Sequence, residues 1–327
     1  MRNVQKIPRP LRRVFKRVSS RQLRSQLHDL DYQLGQVLDT YHHHIDFGAS
    51  LGTNRLRTFA RTTRRLVGRP RILCYPELPG PGSVFYKLCL HQGYAVTNDP
   101  SASVDAAIKW RDATYTPTDE TLHTLATQLP VLNLRLTDIS KGHVGAVFSD
   151  VFGYDLAVDP ETYVGPILRK SEENAAHDGV VMEGPLREPA SDAYVYQRLI
   201  NNVHDGQTTD LRVPIFGTRI PFVRVKYRPV DKRFDHAGQS QVGDEVRSAE
   251  DVFRKEEQEH ILALCQAMGL DYGELDVLRD RETDRIYVVD VNSTPTGPTF
   301  VSATAETTKW CFDEMADALH TCLFREK

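Results

Sequence analysis

No run of apolar residues in this sequence approaches the ~18 that a membrane-spanning helix needs. The N-terminus lacks the apolar stretch of a secretory signal, so none is expected. The five cysteines, Cys74, Cys89, Cys265, Cys311 and Cys322, form no CxxC pair and have no histidine at ligand spacing. A disulfide framework and a zinc site are thereby excluded, and buried thiols in a reducing cytoplasm are expected. A GxxxxGK[ST] phosphate loop is missing, as are internal repeats and low-complexity tracts. What remains is an ordinary globular composition, 40% hydrophobic and 26% charged, long enough at 327 residues for two or three subdomains.

Acid is scarce at one end. Residues 1–69 hold 15 Lys/Arg against 4 Asp/Glu, which leaves −14 for the remainder of a chain whose total is −3. A basic arm on an acidic body suggests an interaction surface, not nucleic-acid binding. In residues 1–18, Leu11, Val14, Phe15 and Val18 fall at helical spacing. That fits an amphipathic helix against an anionic membrane surface or a protein partner, or a solvated arm. Leu23, Leu27, Leu30, Leu34, Val37 and Tyr41 follow at steps of 4, 3, 4, 3 and 4. This predicts a helix packed on its own body, with a homodimer seam as the alternative. His42, His43 and His44 read as surface residues at its C-terminus, and Asn54 can cap a further helix to about Val67.

From Arg71 the texture becomes α/β. Residues 71–75, 94–97, 106–110 and 131–134 read as strands. Helices capped by Ser83 and near residues 119–128 lie between them, so a parallel sheet is predicted. The Pro/Gly-rich loop bearing Glu77 falls at a strand C-terminus, where such sheets bind ligands, or is a rigid turn. A helix follows to Phe152, then strands at 154–160, 166–170, 180–182 and 193–200. Lys170 ends one strand before a loop of small and polar residues, which suits phosphate or a solvated hairpin tip. Residues 209–216 and 221–227 form a hairpin that puts Asp210 with Arg212 and aligns Arg224, Lys226 and Arg228. A row of cations inside a sheet calls for an anion. The polar stretch 231–247 reads as a lid or a disordered loop. Ser248 caps a helix running to Met268, and a last helix covers residues 306–323.

Residues 271–300 then read as two strands around a polar turn. Centring the turn on Thr283 sets Asp276 opposite Asp290, with Asn292 on the same face. Two carboxylates and an amide oxygen suit a hard cation such as Mg²⁺; an edge hairpin with solvated aspartates is the other reading.

Taken in order, these segments resemble the ATP-grasp superfamily, in its glutathione-synthetase-like and peptide-ligase-like branches, over roughly residues 131–300. Lys141 and Lys170 are similar to the family's two ATP lysines. VYQRLI resembles the adenine-reading hinge, with Gln197 and Leu199 at the contact positions and Asp205 as the ribose candidate. TDLRV resembles the strand carrying the phosphate-directed arginine, here Arg212. ELDVL and YVVDVN resemble the metal hairpin, with Asp276, Asp290 and Asn292 as ligands. Gln197 and Asp290 stand where the family often carries Glu. The resemblance implies an α/β to α+β architecture in three parts. These are a basic helical extension at 1–69, a parallel α/β pre-grasp domain at 70–137, and an ATP-grasp domain at 138–327 with its hinge near 196–200. It implies ATP with Mg²⁺ (or Mn²⁺), and Lys226 beside the phosphates. Arg212, Arg224 and Arg228 would stabilise the transferring phosphoryl. The implied activity joins a small-molecule or peptide carboxylate to an amine or thiol. A kinase on the same scaffold and a non-catalytic nucleotide-binding scaffold are the alternatives. His177 and His236 are loop candidates for a general base.

Overall fold

The computed structural model describes residues 68–174, 176, 178–233, 241–298 and 300–324, together with Tyr32, Gly35 and Gln36. Its first layer is a parallel sheet of β1 (Arg71–Pro76), β2 (Ala95–Thr97), β3 (Ala106–Trp110) and β4 (Val131–Leu132), in the order β2-β1-β3-β4. Strands buried on both faces should be apolar on both. Accordingly Ile72 and Cys74 of β1 enter one core, while Leu73 enters another. Helix α1 (Val84–Gln92) starts where Ser83 accepts the Tyr86 N–H, and ends on Gly93 in the left-handed region at φ 78. Asp119 caps α2 (Glu120–Leu125) in the same way. These elements fall where the residue pattern puts them.

After β4 the chain enters α3 (Lys141–Phe152) and a three-stranded antiparallel sheet of β5 (Gly165–Ser171), β6 (Val180–Gly184) and β7 (Tyr194–Arg198), ordered β6-β5-β7. The strand expected at 154–160 is not one: Ala157 makes only an isolated bridge to Gln197. Asp159 is the reason, because its carboxylate accepts the Glu161 N–H (2.9 Å) and the Thr162 hydroxyl (2.9 Å) and turns the chain.

The largest layer is a six-stranded antiparallel sheet. It contains β8 (Val203–His204), β9 (Gln207–Phe216), β10 (Val223–Pro229), β11 (Gly243–Arg247), β12 (Tyr272–Arg279) and β13 (Ile286–Asn292). The order is β11-β10-β9-β12-β13, with β8 beside β9. The single helix expected from Ser248 to Met268 is two, α4 (Ala249–Val252) and α5 (Lys255–Met268). Phe253 leaves the helix at φ −120, ψ 139, and its ring is buried in the core. Glu257 then recaps the chain by accepting the Arg254 N–H at 2.9 Å. The last helix is α6 (Ala305–Phe324).

One face of the large sheet is apolar. Leu211, Val213, Val225, Leu275 and Val277 lie in a core with Phe148 of α3 and Ile261 and Leu264 of α5. Truncating any one of these buried aliphatics to Ala should cost about 2–5 kcal/mol. The parallel sheet is joined to this layer by Asn133, in the left-handed region at φ 57. Its Oδ1 accepts the N–H groups of Asp271 (2.8 Å) and Tyr272 (2.9 Å), and its Nδ2 donates to the Tyr272 carbonyl (2.8 Å). Before Arg71, Tyr32 donates to the Pro79 carbonyl (3.0 Å), and Gln36 accepts the Val96 N–H of edge strand β2 (3.1 Å). At these two positions the stretch packs on its own body. The rest of it, the basic arm at 1–18, His42–His44 and the helix from Asn54 lie outside the described residues.

Candidate functional site

Side chains alternate across a sheet, so the residues between the apolar ones must share the other face. On β9 these are Asp210 and Arg212, on β10 Arg224, Lys226 and Arg228, and on β12 Glu274 and Asp276. Register makes them neighbours: Arg212 pairs with Arg224 and with Asp276, Asp210 with Lys226, Glu274 with Asn292, and Asp276 with Asp290. The opposition of Asp276 and Asp290 expected from the turn is therefore present. How Asp290 reaches this face was not legible. Val288 is in the apolar core, so strict alternation would send Asp290 there too. A bulge between the Asp276–Asp290 and Val277–Val288 pairs leaves Val289 extra and re-aims Asp290.

The charges are compensated locally. Arg212 Nε lies 2.7 Å from Asp276 Oδ1, and its Nη1 is 3.0 Å from Glu274 Oε1. Arg212 is held charged against its own burial by Asp276 and Glu274. Burial, then Asp276, pushes the Asp290 carboxyl up to about 6, and Lys141, Lys170 and Arg212 resist that shift. Burial lowers the Lys170 ammonium to about 8, with Asp290 the largest opposing influence. Lys226 is also lowered to about 8, by burial and then by Arg212. Asp210 is raised by burial and held down chiefly by Arg228, whose Nε is 3.8 Å away. Lys141, the first residue of α3, donates to the Glu173 carbonyl. Lys141, Lys170, Arg212, Lys226, Asp276 and Asp290 thus form one electrostatic cluster between the three-stranded sheet and the charged face.

Among the described residues no group of three or more His, Cys, Asp and Glu is arranged to hold a metal ion. The pair Asp276 and Asp290 nevertheless fits a cation. Both Oδ1 atoms are buried without a hydrogen-bond partner, the 2.7 Å approach of Arg212 to Asp276 being an ion pair out of alignment. Asn292 Oδ1 accepts the Thr294 N–H at 2.9 Å and keeps a second lone pair. Two carboxylates and one amide would leave the other positions of a hard ion to phosphate oxygens and water.

Other expected positions are placed as follows. Gln197 is buried on β7 opposite Leu168. The Leu199 N–H donates to the Pro166 carbonyl at 3.1 Å. Asp205 occupies the exposed tip of the β8–β9 turn at φ 47. His177, His236 and residues 234–240 of the lid expected at 231–247 lie outside the described residues. Residues 243–247 form β11, where Asp244 accepts from Arg224 Nε (2.9 Å) and from the N–H groups of Val301 (3.1 Å) and Ser302 (2.7 Å). Asp244 was missed, as was Glu274, although the latter stands two residues before Asp276 on the same face. The buried Lys109 of β3 was missed too; its ammonium donates to the carbonyls of Thr116 (3.0 Å) and Leu136 (2.7 Å).

Residues 294–297 are stitched to the segments that follow β1 and β3. The Val84 N–H donates to the Pro295 carbonyl (2.9 Å), the Gly297 N–H to the Gly82 carbonyl (3.1 Å), and Thr294 Oγ1 to Asp112 Oδ1 (3.2 Å). Beneath them a small enclosed cavity is lined by Val84, Phe222, Arg224, Tyr272, Glu274 and Pro298, among others.

No protein-family model matches the sequence, and no curated protein does. Solved structures do. The D-alanine–D-alanine ligase from Bacillus anthracis superposes with a TM-score of 0.50 at 13% identity, over 78% of this chain and 96% of that one. The chain has the ATP-grasp fold. The macrocyclase MdnC from Microcystis aeruginosa MRC, bound with precursor peptide MdnA, gives 0.42 at 13% identity, over 78% of this chain and 99% of that one. The ATP-grasp ligase PsnB, solved with minimal precursor, Mg and ADP, gives 0.41 at 16% identity, over 61% of this chain and 63% of that one.

Proposed function

We propose that this chain is an ATP- and Mg²⁺-dependent ligase that activates a carboxylate as an acylphosphate and joins it to an amine or thiol. The observation that carries the reading is the facing pair Asp276 and Asp290, the first held by its ion pair to Arg212 and the second with a buried oxygen that accepts no hydrogen bond, set among Lys141, Lys170 and Lys226. So many cations around two facing carboxylates fit a metal together with a polyphosphate better than either a metal or an anion alone.

Asp276, Asp290 and Asn292 would hold Mg²⁺, which when bound neutralises phosphate charge. Lys141 and Lys170 would take the α- and β-phosphates from the side of the three-stranded sheet. Arg212, fixed by Asp276 and Glu274, presents a rigid fork to the transferring phosphoryl. Arg224, fixed by Asp244, lies one strand farther on beside the enclosed cavity, where a substrate oxyanion would develop. Arg228, paired with Asp210, closes the opposite end of the row. Gln197 and Leu199 would supply adenine contacts at the hinge, and Asp205 a ribose contact. The domain limits 1–69, 70–137 and 138–327 and a cytoplasmic setting complete this reading.

A pooled screen of carboxylates, amines and short peptides, read for ADP and resolved by product mass, tests it. An amide or thioester product is expected. A phosphorylated hydroxyl would replace the ligase by a kinase, and no ADP from any pool would leave a binding scaffold.

A further inference from the structure

Two consecutive residues of α3 and two consecutive residues of the β5–β6 loop hold each other reciprocally. Lys141 Nζ donates to the Glu173 carbonyl at 2.5 Å, and the Gly142 N–H donates to Glu172 Oε2 at 2.8 Å. Each partner gives one side chain and one backbone group. The Gly142 N–H lies in the first turn of the helix, where amides have no intrahelical acceptor and a carboxylate is favoured by the helix dipole. The approach is tight: a Cβ on residue 142 would sit 2.5 Å from Glu172 Oε1. A side chain there would push the end of Glu172 aside, so glycine leaves the clasp its room.

The rest of the loop is tethered on both sides of this clasp. The Asn174 N–H donates to Thr114 Oγ1 at 2.9 Å, and the Ser171 N–H meets both oxygens of Asp178 at 3.2 Å. The clasp matters because Lys141 belongs to α3 and Lys170 to β5, on different elements. The Lys141 ammonium is close enough to disfavour the charge on Lys170. Left to themselves, two such side chains would separate.

We infer that Glu172 is a positioning residue: by accepting the Gly142 N–H it seats the β5–β6 loop on α3, and the loop's Glu173 carbonyl then holds the Lys141 ammonium beside Lys170, where both can meet the phosphates of ATP. This rests on the nucleotide reading above. Glu172 itself touches no phosphate; it acts through Lys141. A carboxylate near a polyphosphate would otherwise oppose binding, so its effect on affinity has a definite sign that separates the two roles.

Titration calorimetry with Mg·ATP on the full chain, with unfolding temperature measured in parallel, tests the clasp. Glu172→Ala should bind about tenfold more weakly than the unsubstituted chain at a similar unfolding temperature. Glu172→Gln should stay within about threefold, because its amide oxygen still accepts the Gly142 N–H. Gly142→Ala should be as weak as Glu172→Ala, and the double variant no weaker than either single, since both break one contact. If Glu172→Ala fails to fold, the Gly142→Ala and Glu172→Gln arms still decide. Undiminished or tighter binding in Glu172→Ala or Gly142→Ala overturns the inference, and so do additive losses in the double variant. An unsubstituted chain that binds no Mg·ATP overturns the nucleotide reading itself, and this inference with it.

Discussion

Asp290 shows what the site demands of a single side chain. Its carboxyl is pushed up to about 6, by burial first and Asp276 second. The ordinary unfolded value is near 3.9. A folded value above the unfolded one means the native state binds the proton more tightly. The stability this lends is fully present below about pH 4 and is lost as pH rises through about 6. Metal-free protein should therefore lose on the order of 1–3 kcal/mol of unfolding free energy between those limits from this group. Asp290→Asn should abolish that part of the slope, stabilise the metal-free chain near pH 7, and eliminate Mg²⁺-dependent turnover. Urea titrations at several pH values and an ADP assay check the two halves. An unchanged slope would mean that another group carries the proton; retained turnover would remove Asp290 from the metal site. Arg212 is the opposite case. Its removal would strand Asp276 and Glu274, so Arg212→Ala should cost about 3–5 kcal/mol of stability as well as activity, read by urea denaturation.

At the scale of elements, the break between α4 and α5 has one residue at its centre. Glu257 accepts the Arg254 N–H and pairs with Arg279 of β12 at 2.8 Å through each of its oxygens. Glu257→Ala removes a cap and leaves a half-buried guanidinium short of partners, so about 2–4 kcal/mol of destabilisation is expected. Glu257→Gln should lose less. Thermal or urea unfolding measures both. This break also marks the limit of what the residues alone revealed. Caps, alternation and glycine stops placed the parallel strands, α1, α3, the β9–β10 pair and the β12–β13 hairpin, because those signals are local. Phe253 ends a helix only because a core exists to receive its ring, and that core is assembled from distant strands. The Val289 bulge is invisible for the same reason: an extra residue in one strand is defined by its partner. Asp159 hid in the open, since an Asx turn and a strand end both read as polar residues before a proline. The site was legible to the degree that its residues are two apart on strands; Asp244 and Glu172 were not, because they act through backbone groups of other segments.

For the whole molecule, the junction between the parallel sheet and the large sheet combines a shared apolar core, with Phe216, Phe222 and Tyr272 beside Ile72 and Ile108, and the polar link at Asn133. Its side chain makes three hydrogen bonds to Asp271 and Tyr272, and its N–H makes a fourth to Asp271 Oδ2 at 2.7 Å. Asn133→Ala would leave two buried N–H groups and a carbonyl unpaired and place Ala in the left-handed region. A loss of about 3–5 kcal/mol is expected. Two separated unfolding transitions in calorimetry, where the parent shows one, would place that junction at the boundary between cooperative units. The basic arm is a separate matter. Deleting residues 1–18 should leave Mg·ATP affinity unchanged in calorimetry if the arm serves a partner or surface; a collapse of unfolding temperature would make it structural. Among the described residues no helix is long and apolar enough to cross a membrane.

The six-stranded sheet keeps its apolar side for α3 and α5 and its ionic side for the three-stranded sheet opposite. Swinging that smaller sheet away would hydrate ammonium, guanidinium and carboxylate groups and very little hydrocarbon. Apolar hydration raises heat capacity and polar hydration lowers it. Opening and closing the cleft should thus have a heat-capacity change near zero or of inverted sign, quite unlike unfolding, and should respond to salt more than to temperature. A cleft opening in this way would be governed by ionic strength, and the body around it by the hydrophobic effect.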